Sequence, residues 1–149
     1  MKRIAVITGA SSGLGREFAR LLAHEAIDEL WLVARREERL RALAAEVALP
    51  CRVFALDLTQ ESALEALSAA LSAEPVTVRV LVNAAGFGRI GMAADIGAAT
   101  TGRMIALNCR AAAELTERAL PYMERGSRVL EIASCAAFQP IPYLAAYAA

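Results

Sequence analysis

The stretch "TGASSGLG", Thr8 to Gly15, follows the apolar run "RIAVIT" (3–8) and opens "GLGREFARLLAHEA" (13–26). The first run is short and β-branched, as a buried strand is; in the second, Phe18, Leu21 and Leu22 recur at helical spacing. The three glycines therefore stand where a strand turns into a helix. Gly9 permits the sharp turn. Gly13 keeps a Cβ out of the way of a pyrophosphate, and Gly15 lets the helix pack close to the strand. The N–H groups at the helix start, with the helix dipole, then face an anion. A glycine-rich turn that binds nothing has the same composition. The position, opening the first strand-to-helix crossover, favours the phosphate-binding reading.

Outward from this loop the same alternation continues. "ELWLVA" (29–34), "CRVFALDL" (51–58), "VRVLVN" (78–83) and "RVLEIAS" (128–134) read as further strands. "REERLRALAAEVA" (36–48), residues 60–73 and residues 101–124 read as helices, with Pro121 bending or ending the last of them. "GFGRIGMAADIGAAT" (86–100) reads as loop plus a short helix. Near-continuous Val, Ile and Leu in the strands implies that helices cover both faces of the sheet. The expected fold is α/β: a Rossmann-type, doubly wound parallel sheet in the order 3-2-1-4-5, within a single dinucleotide-binding domain over 1–149.

Composition narrows the function. Sixteen basic and sixteen acidic side chains cancel, with no basic stripe, so nucleic acid is not an expected partner. No apolar run is long enough to span a membrane. Cys51, Cys109 and Cys135 are far apart and form no CxxC pair, and His24 is the only histidine, so no metal site is expected. The cysteines read as three buried thiols in a reducing, cytoplasmic setting.

The end of the second strand is where an adenosine ribose would lie, about twenty residues past the glycines. An acid there would hydrogen-bond a 2′-hydroxyl. This chain has "LVARREER", placing Arg35 and Arg36 at that point. A guanidinium fork matches a 2′-phosphate, which implies NADP(H) rather than NAD(H), with Ser12 also within reach. The alternative is two solvated arginines that open a helix.

The glycine spacing is T-G-x-x-x-G-x-G, and with it the chain resembles the short-chain dehydrogenase/reductase family. Extended-type epimerases and dehydratases fit that spacing less well. The resemblance covers essentially the whole chain. It implies that Gly9, Ser11, Ser12, Gly13, Leu14 and Gly15 cradle the cofactor phosphates. It also implies that Asp57 and Leu58, in "ALDLT", line the adenine pocket; unaided, Asp57 reads as a cap or turn residue, a role for which Thr59 competes. "NAAG" (83–86) matches a second family motif, in which Asn83, Ala84 and Gly86 form a low wall beside the cofactor and the Asn83 amide ties neighbouring strands. By itself it is only a strand-end turn.

Three polar residues complete the resemblance. Asn108 lies mid-helix in "MIALNCRAAAEL", Ser134 ends the fifth strand, and Tyr147 follows in "YLAAYAA". In the family such a Ser orients the substrate oxygen, the Tyr is general acid or base, and the Asn holds a water on the proton relay. Unaided, Asn108 reads as a solvent-facing interruption, Ser134 as a turn residue, and Tyr143 as a rival to Tyr147. The implied activity is NADP(H)-dependent interconversion of a carbonyl and a primary or secondary alcohol on a small molecule. The parent protein is expected to be a homo-oligomer, a dimer or tetramer.

The family relay also has a Lys four residues after the Tyr. Lys2, the only lysine here, stands at the start of strand one and cannot replace it. The chain is thus expected to be C-terminally incomplete, without the family's last helix and strands, and inactive alone. The alternative is a non-catalytic nucleotide-binding module or pseudoenzyme.

Overall fold

The computed structural model describes residues 1–139 and 141–149. β1 (Lys2–Thr8) runs through the middle of the sheet, with Ile4, Ala5, Val6 and Ile7 all buried. α1 (Gly13–Leu22), β2 (Glu29–Ala34), α2 (Glu37–Glu46), β3 (Cys51–Ala55), α3 (Glu61–Ser72) and β4 (Val76–Asn83) follow in alternation. α4 (Ala93–Ile105), a π-helical segment (Ala106–Ala111), α5 (Ala112–Ala119) and a 3-10 turn (Leu120–Tyr122) lead to β5 (Arg128–Glu131). A second 3-10 turn (Cys135–Ala137) and the short α6 (Ala145–Ala148) come last. The sheet order is β3-β2-β1-β4-β5, and every pairing is parallel. This is the expected doubly wound arrangement.

Strand periodicity divides the interior in two. Ile4, Val6, Trp31 and Val33 face α3 and α5, where Leu64, Leu67, Leu71 and Leu115 are buried. Ala5, Ile7, Leu30 and Leu32 face α1 and α2, where Ala19, Leu40 and Leu43 are buried. β4 changes parity along its length: Val78 and Leu81 belong to the first core, Val80 and Val82 to the second. The cause is a register shift against β1, where Ile4 pairs with Val78 but Ala5 pairs with Val80. Arg79 is the extra residue, and its guanidinium leaves the sheet to meet Glu124 at 2.9 Å.

Several boundaries differ from the sequence reading. The helix expected over 101–124 begins earlier, at Ala93, and is interrupted twice. Gly97 adopts φ 73° within α4, and the π-helical segment separates α4 from α5. β3 and β5 end at Ala55 and Glu131, short of the expected strand ends, because the chain turns away at the sheet's carboxyl edge. α1 stops at Leu22, and the last helix starts at Ala145. Tyr143, at φ 65°, lies in the left-handed region outside that helix. The thiols also differ: Cys109 and Cys135 are exposed, and Cys51 is only partly buried. The first two fall on the π-helical segment, beside Asn108, and on the turn after β5. Among the described residues, no helix is long and apolar enough to cross a membrane.

Candidate active site

At the carboxyl edge of β1 the phosphate loop is held by backbone-level contacts. Gly9 has φ 68°, and a Cβ there would stand 2.6 Å from the carbonyl oxygen of Ala84. A Cβ on Gly15 would stand 2.5 Å from the carbonyl oxygen of Gly9. At Gly13 nothing lies within 4 Å, so the loop opens there. Ser12 is the N-cap of α1, yet its hydroxyl makes no cap bond, and the first turn carries no acid. The orphan N–H groups and the positive end of α1 are therefore left without an internal anion.

The Ser12 hydroxyl is engaged elsewhere. Arg36 Nη2 donates to Ser12 Oγ at 2.8 Å and to Ser11 Oγ at 3.0 Å. Arg36 thus leans across the loop, while Arg35 acts on the carboxylate of Asp57. Both arginines line one cleft of about 300 Å³ with Gly9, Ser11, Ser12, Gly13, Leu14, Asp57, Leu58, Ala84 and Gly86. Gly15 and Asn83 do not line it: Gly15 packs on Gly9, and Asn83 faces the cleft on the other side of Ala84. Val33, Ala34, Leu56, Ala85 and Leu107 complete the walls. The sequence reading did not single these out, since apolar wall residues look like any other core residue.

At the far end of this cleft Asp57 Oδ1 accepts from the Thr59 N–H at 3.0 Å and the Thr59 hydroxyl at 2.8 Å. Burial pushes the Asp57 carboxyl upward. The two Thr59 bonds, with Arg35 and Arg103 nearby, outweigh it and hold the group below the ordinary carboxylate value.

The exit of β4 is pinned from three sides. Thr8, buried at the end of β1, accepts from the N–H groups of Ala84 at 3.1 Å and Ala85 at 3.0 Å. Asn83 Nδ2 donates to Glu131 on β5 at 2.6 Å and to Thr116 on α5 at 2.9 Å, tying neighbouring elements together. Its Oδ1 is buried with no partner among the described residues. Asn108, in the π-helical segment, donates from Nδ2 to the Phe87 carbonyl at 2.9 Å and accepts at Oδ1 from the Phe87 N–H at 3.0 Å. Its amide is a clamp on this loop and not the solvent-facing interruption that the residue suggests by itself. Thr8 entered the sequence reading only as the first residue of the glycine motif, and Phe87 was not singled out. The motif did not show which N–H groups its hydroxyl would meet, and Phe87 acts through its backbone.

A second cleft, of about 400 Å³, lies beyond this wall and is lined by Asn108, Ser134 and Tyr147, with Glu131, Cys109 and Gly88. The three polar residues are thus brought to one place from the π-helical segment, the turn after β5 and α6. Ser134 Oγ accepts from the Ala136 N–H at 3.2 Å, which leaves its own proton free to donate. The Tyr147 ring packs on Gly88, where a Cβ would stand 3.0 Å from Cδ2. The Gly91 N–H donates to the Tyr143 carbonyl at 2.9 Å, which leaves Tyr143 as a support of this loop while Tyr147 lines the cleft. The two clefts share Ala84, Ala85 and Gly86 as a common wall.

The sequence profile of a family described as short chain dehydrogenase matches residues 3–149. An uncharacterized oxidoreductase of Staphylococcus epidermidis is 29% identical over 99% of this chain. The match spans 65% of that relative's length. An alcohol dehydrogenase of Thermococcus sibiricus, complexed with 5-hydroxy-NADP, superimposes with a TM-score of 0.89 at 27% identity, covering 99% of this chain and 65% of that one. A short-chain dehydrogenase of Sphingobium yanoikuyae in complex with NADPH gives 0.85 at 30% identity, covering 99% and 59%.

Proposed function

This chain belongs to the short-chain dehydrogenase family, and from that premise we propose that the whole protein is an NADP(H)-dependent oxidoreductase that interconverts a small-molecule carbonyl and a primary or secondary alcohol. The observation that carries the proposal is the common wall. One cleft offers a helix start with no side-chain cap and open space at Gly13; the other offers a phenol and a hydroxyl; Ala84 to Gly86 separate them by small residues only.

The cleft fits a 2′-phosphorylated dinucleotide. The N–H groups of α1 would hold the pyrophosphate, Arg36 and Arg35 the 2′-phosphate, and Asp57 and Leu58 the adenine. The bound nicotinamide supplies or accepts the hydride. The chain's residues handle the oxygen and its proton. In reduction Ser134 donates to the substrate oxygen and orients it, while Tyr147 gives that oxygen a proton; in oxidation Tyr147 takes the proton back. Asn108 keeps the loop over Phe87 in place, and one N–H and one lone pair of its amide remain for a relay water. The NADPH and 5-hydroxy-NADP complexes of the neighbours support the cofactor assignment.

One observation favours a second reading for these residues alone. Lys2, the only lysine, pairs with Glu29 at 3.3 Å and Glu74 at 2.9 Å at the opposite edge of the sheet. Residues 1–149 alone would then bind nucleotide without appreciable turnover.

Titration of NADPH and NADH by fluorescence tests the cofactor, with NADPH expected to bind at least about tenfold more tightly. Equal affinities would overturn that part. NADPH oxidation with a panel of aldehydes and ketones tests the chemistry. Tyr147→Phe is expected to lower turnover by the whole protein at least about a hundredfold and leave NADPH affinity unchanged. Unchanged turnover would remove Tyr147 from its role.

A further inference from the structure

The π-helical segment carries a second grip besides Asn108. Arg110 Nη2 donates to the Thr59 carbonyl at 2.6 Å. Thr59 in turn donates twice to Asp57, and the Gln60 N–H closes the turn on the Asp57 carbonyl at 2.9 Å. The turn after β3 is therefore rigid within itself, and Arg110 fixes it to the helix beyond. Leu58, buried in the core shared with Ala111 and Leu115, anchors the same turn from below. The apolar anchor keeps the turn in the fold; the Arg110 bond sets the height of its polar rim. Glu114 Oε1, 3.7 Å from Arg110 Nε, steadies the guanidinium.

We propose that Arg110 is a positioning residue for the cofactor: through Thr59 it holds the Asp57 carboxylate at the adenine end of the cleft. The inference rests on the cofactor assignment above. Arg110 does not line the cleft itself and touches no nucleotide. It acts by choosing among orientations of a turn whose side chains do.

The test uses the chain with Arg110→Met and Arg110→Lys, each with and without Asp57→Ala, and titrates adenosine 2′,5′-bisphosphate and NADPH. Arg110→Met is expected to weaken both ligands about tenfold, the scale of one charge-assisted hydrogen bond. Arg110→Lys, which still offers a cationic donor, is expected to stay within about threefold of the unmodified chain. In the Asp57→Ala background Arg110→Met is expected to add less than about twofold, since the carboxylate it positions is gone. Three results would overturn the inference: an Arg110→Met chain that binds as the unmodified one does, the same loss in both backgrounds, or a Lys variant as weak as Met. Failure of Arg110→Met to fold would assign the residue to stability and count equally against it. If the unmodified chain binds neither ligand, the cofactor assignment itself fails. That result is distinct from normal binding that Arg110→Met leaves untouched.

Discussion

The half of the molecule that would hold a nucleotide and the half that would do chemistry are built differently. The first hangs on β1 and β2, whose central residues are buried, and on β4, buried at both ends. Its loop is set by contacts between backbones: Gly9 against Ala84, Gly15 against Gly9, Thr8 against two N–H groups. The second hangs on β5, an edge strand of four residues in which Arg128, Val129 and Glu131 are exposed. Phe138, just past Ser134, is 89% exposed. Binding geometry is thus set by close packing in the interior, where a misplacement costs the fold. Ser134 and Tyr147 ride on a 3-10 turn and a four-residue helix, joined to the 87–91 loop by the Gly91–Tyr143 bond and by the Tyr147 ring on Gly88. They can shift without cost to the core.

Glycine substitutions strain that contrast most. Gly9→Ala combines a left-handed φ with a Cβ at 2.6 Å from a backbone oxygen that cannot yield. It is expected to destabilise the chain by more than about 3 kcal/mol in urea unfolding. Gly88→Ala meets only the Tyr147 ring, which can move, and is expected to cost less than about 1 kcal/mol. Equal losses at the two sites would break the comparison.

The next effect lies within the nucleotide half. Arg36 is tied to Ser11 and Ser12, whereas Arg35 acts on Asp57. Arg36→Ala is therefore expected to reduce the preference for NADPH over NADH about tenfold, and Arg35→Ala by less. A larger loss from Arg35→Ala in competitive titrations would reverse the division.

Thiol chemistry sharpens the comparison further. Burial, with Glu29 adding to it, pushes the Cys51 thiol up to about 11. Cys109 and Cys135, in the half that holds Ser134 and Tyr147, are exposed. Alkylation at pH 8 followed by peptide mass mapping is expected to modify those two at least about tenfold faster than Cys51. Uniform labelling would mean that the nucleotide half opens as readily as the other.

The smallest effect is in acid. The Arg3 side chain, and then its N–H, hold the Asp28 carboxyl down to about 2. A depressed carboxylate contributes stability above its unfolded value and loses it as pH falls through the folded one. The contribution should therefore fade between about pH 4 and about pH 2. Asp28→Asn is expected to flatten that part of the stability profile slightly, because the pair is exposed and screened. A profile unchanged by the substitution would show that the pair does not hold β1 to the β2 entry.

Local pattern was enough for much of this. The five apolar runs, the glycines after the first and the helical spacing between them were enough to expect a parallel sheet in the observed order, because apolar strands need cover on both faces and strand–helix–strand crossovers are right-handed. The resemblance through "TGASSGLG", "NAAG", Asn108, Ser134 and Tyr147 then pointed to the family. Tertiary structure decided what depends on partners far away in the chain. The π-helical turn at Ala106–Ala111 is one added residue without a compositional mark. It lets Asn108 face Phe87 and Arg110 face Thr59. The choice of Arg36 over Arg35 for the phosphate loop was decided by which guanidinium the Ser11 and Ser12 hydroxyls could reach. The exposure of Cys109 and Cys135 likewise depended on which elements pack beside the π-helical segment and the turn after β5. Periodicity records which face of an element is apolar; it does not record what stands opposite, and a hydrogen bond needs both ends.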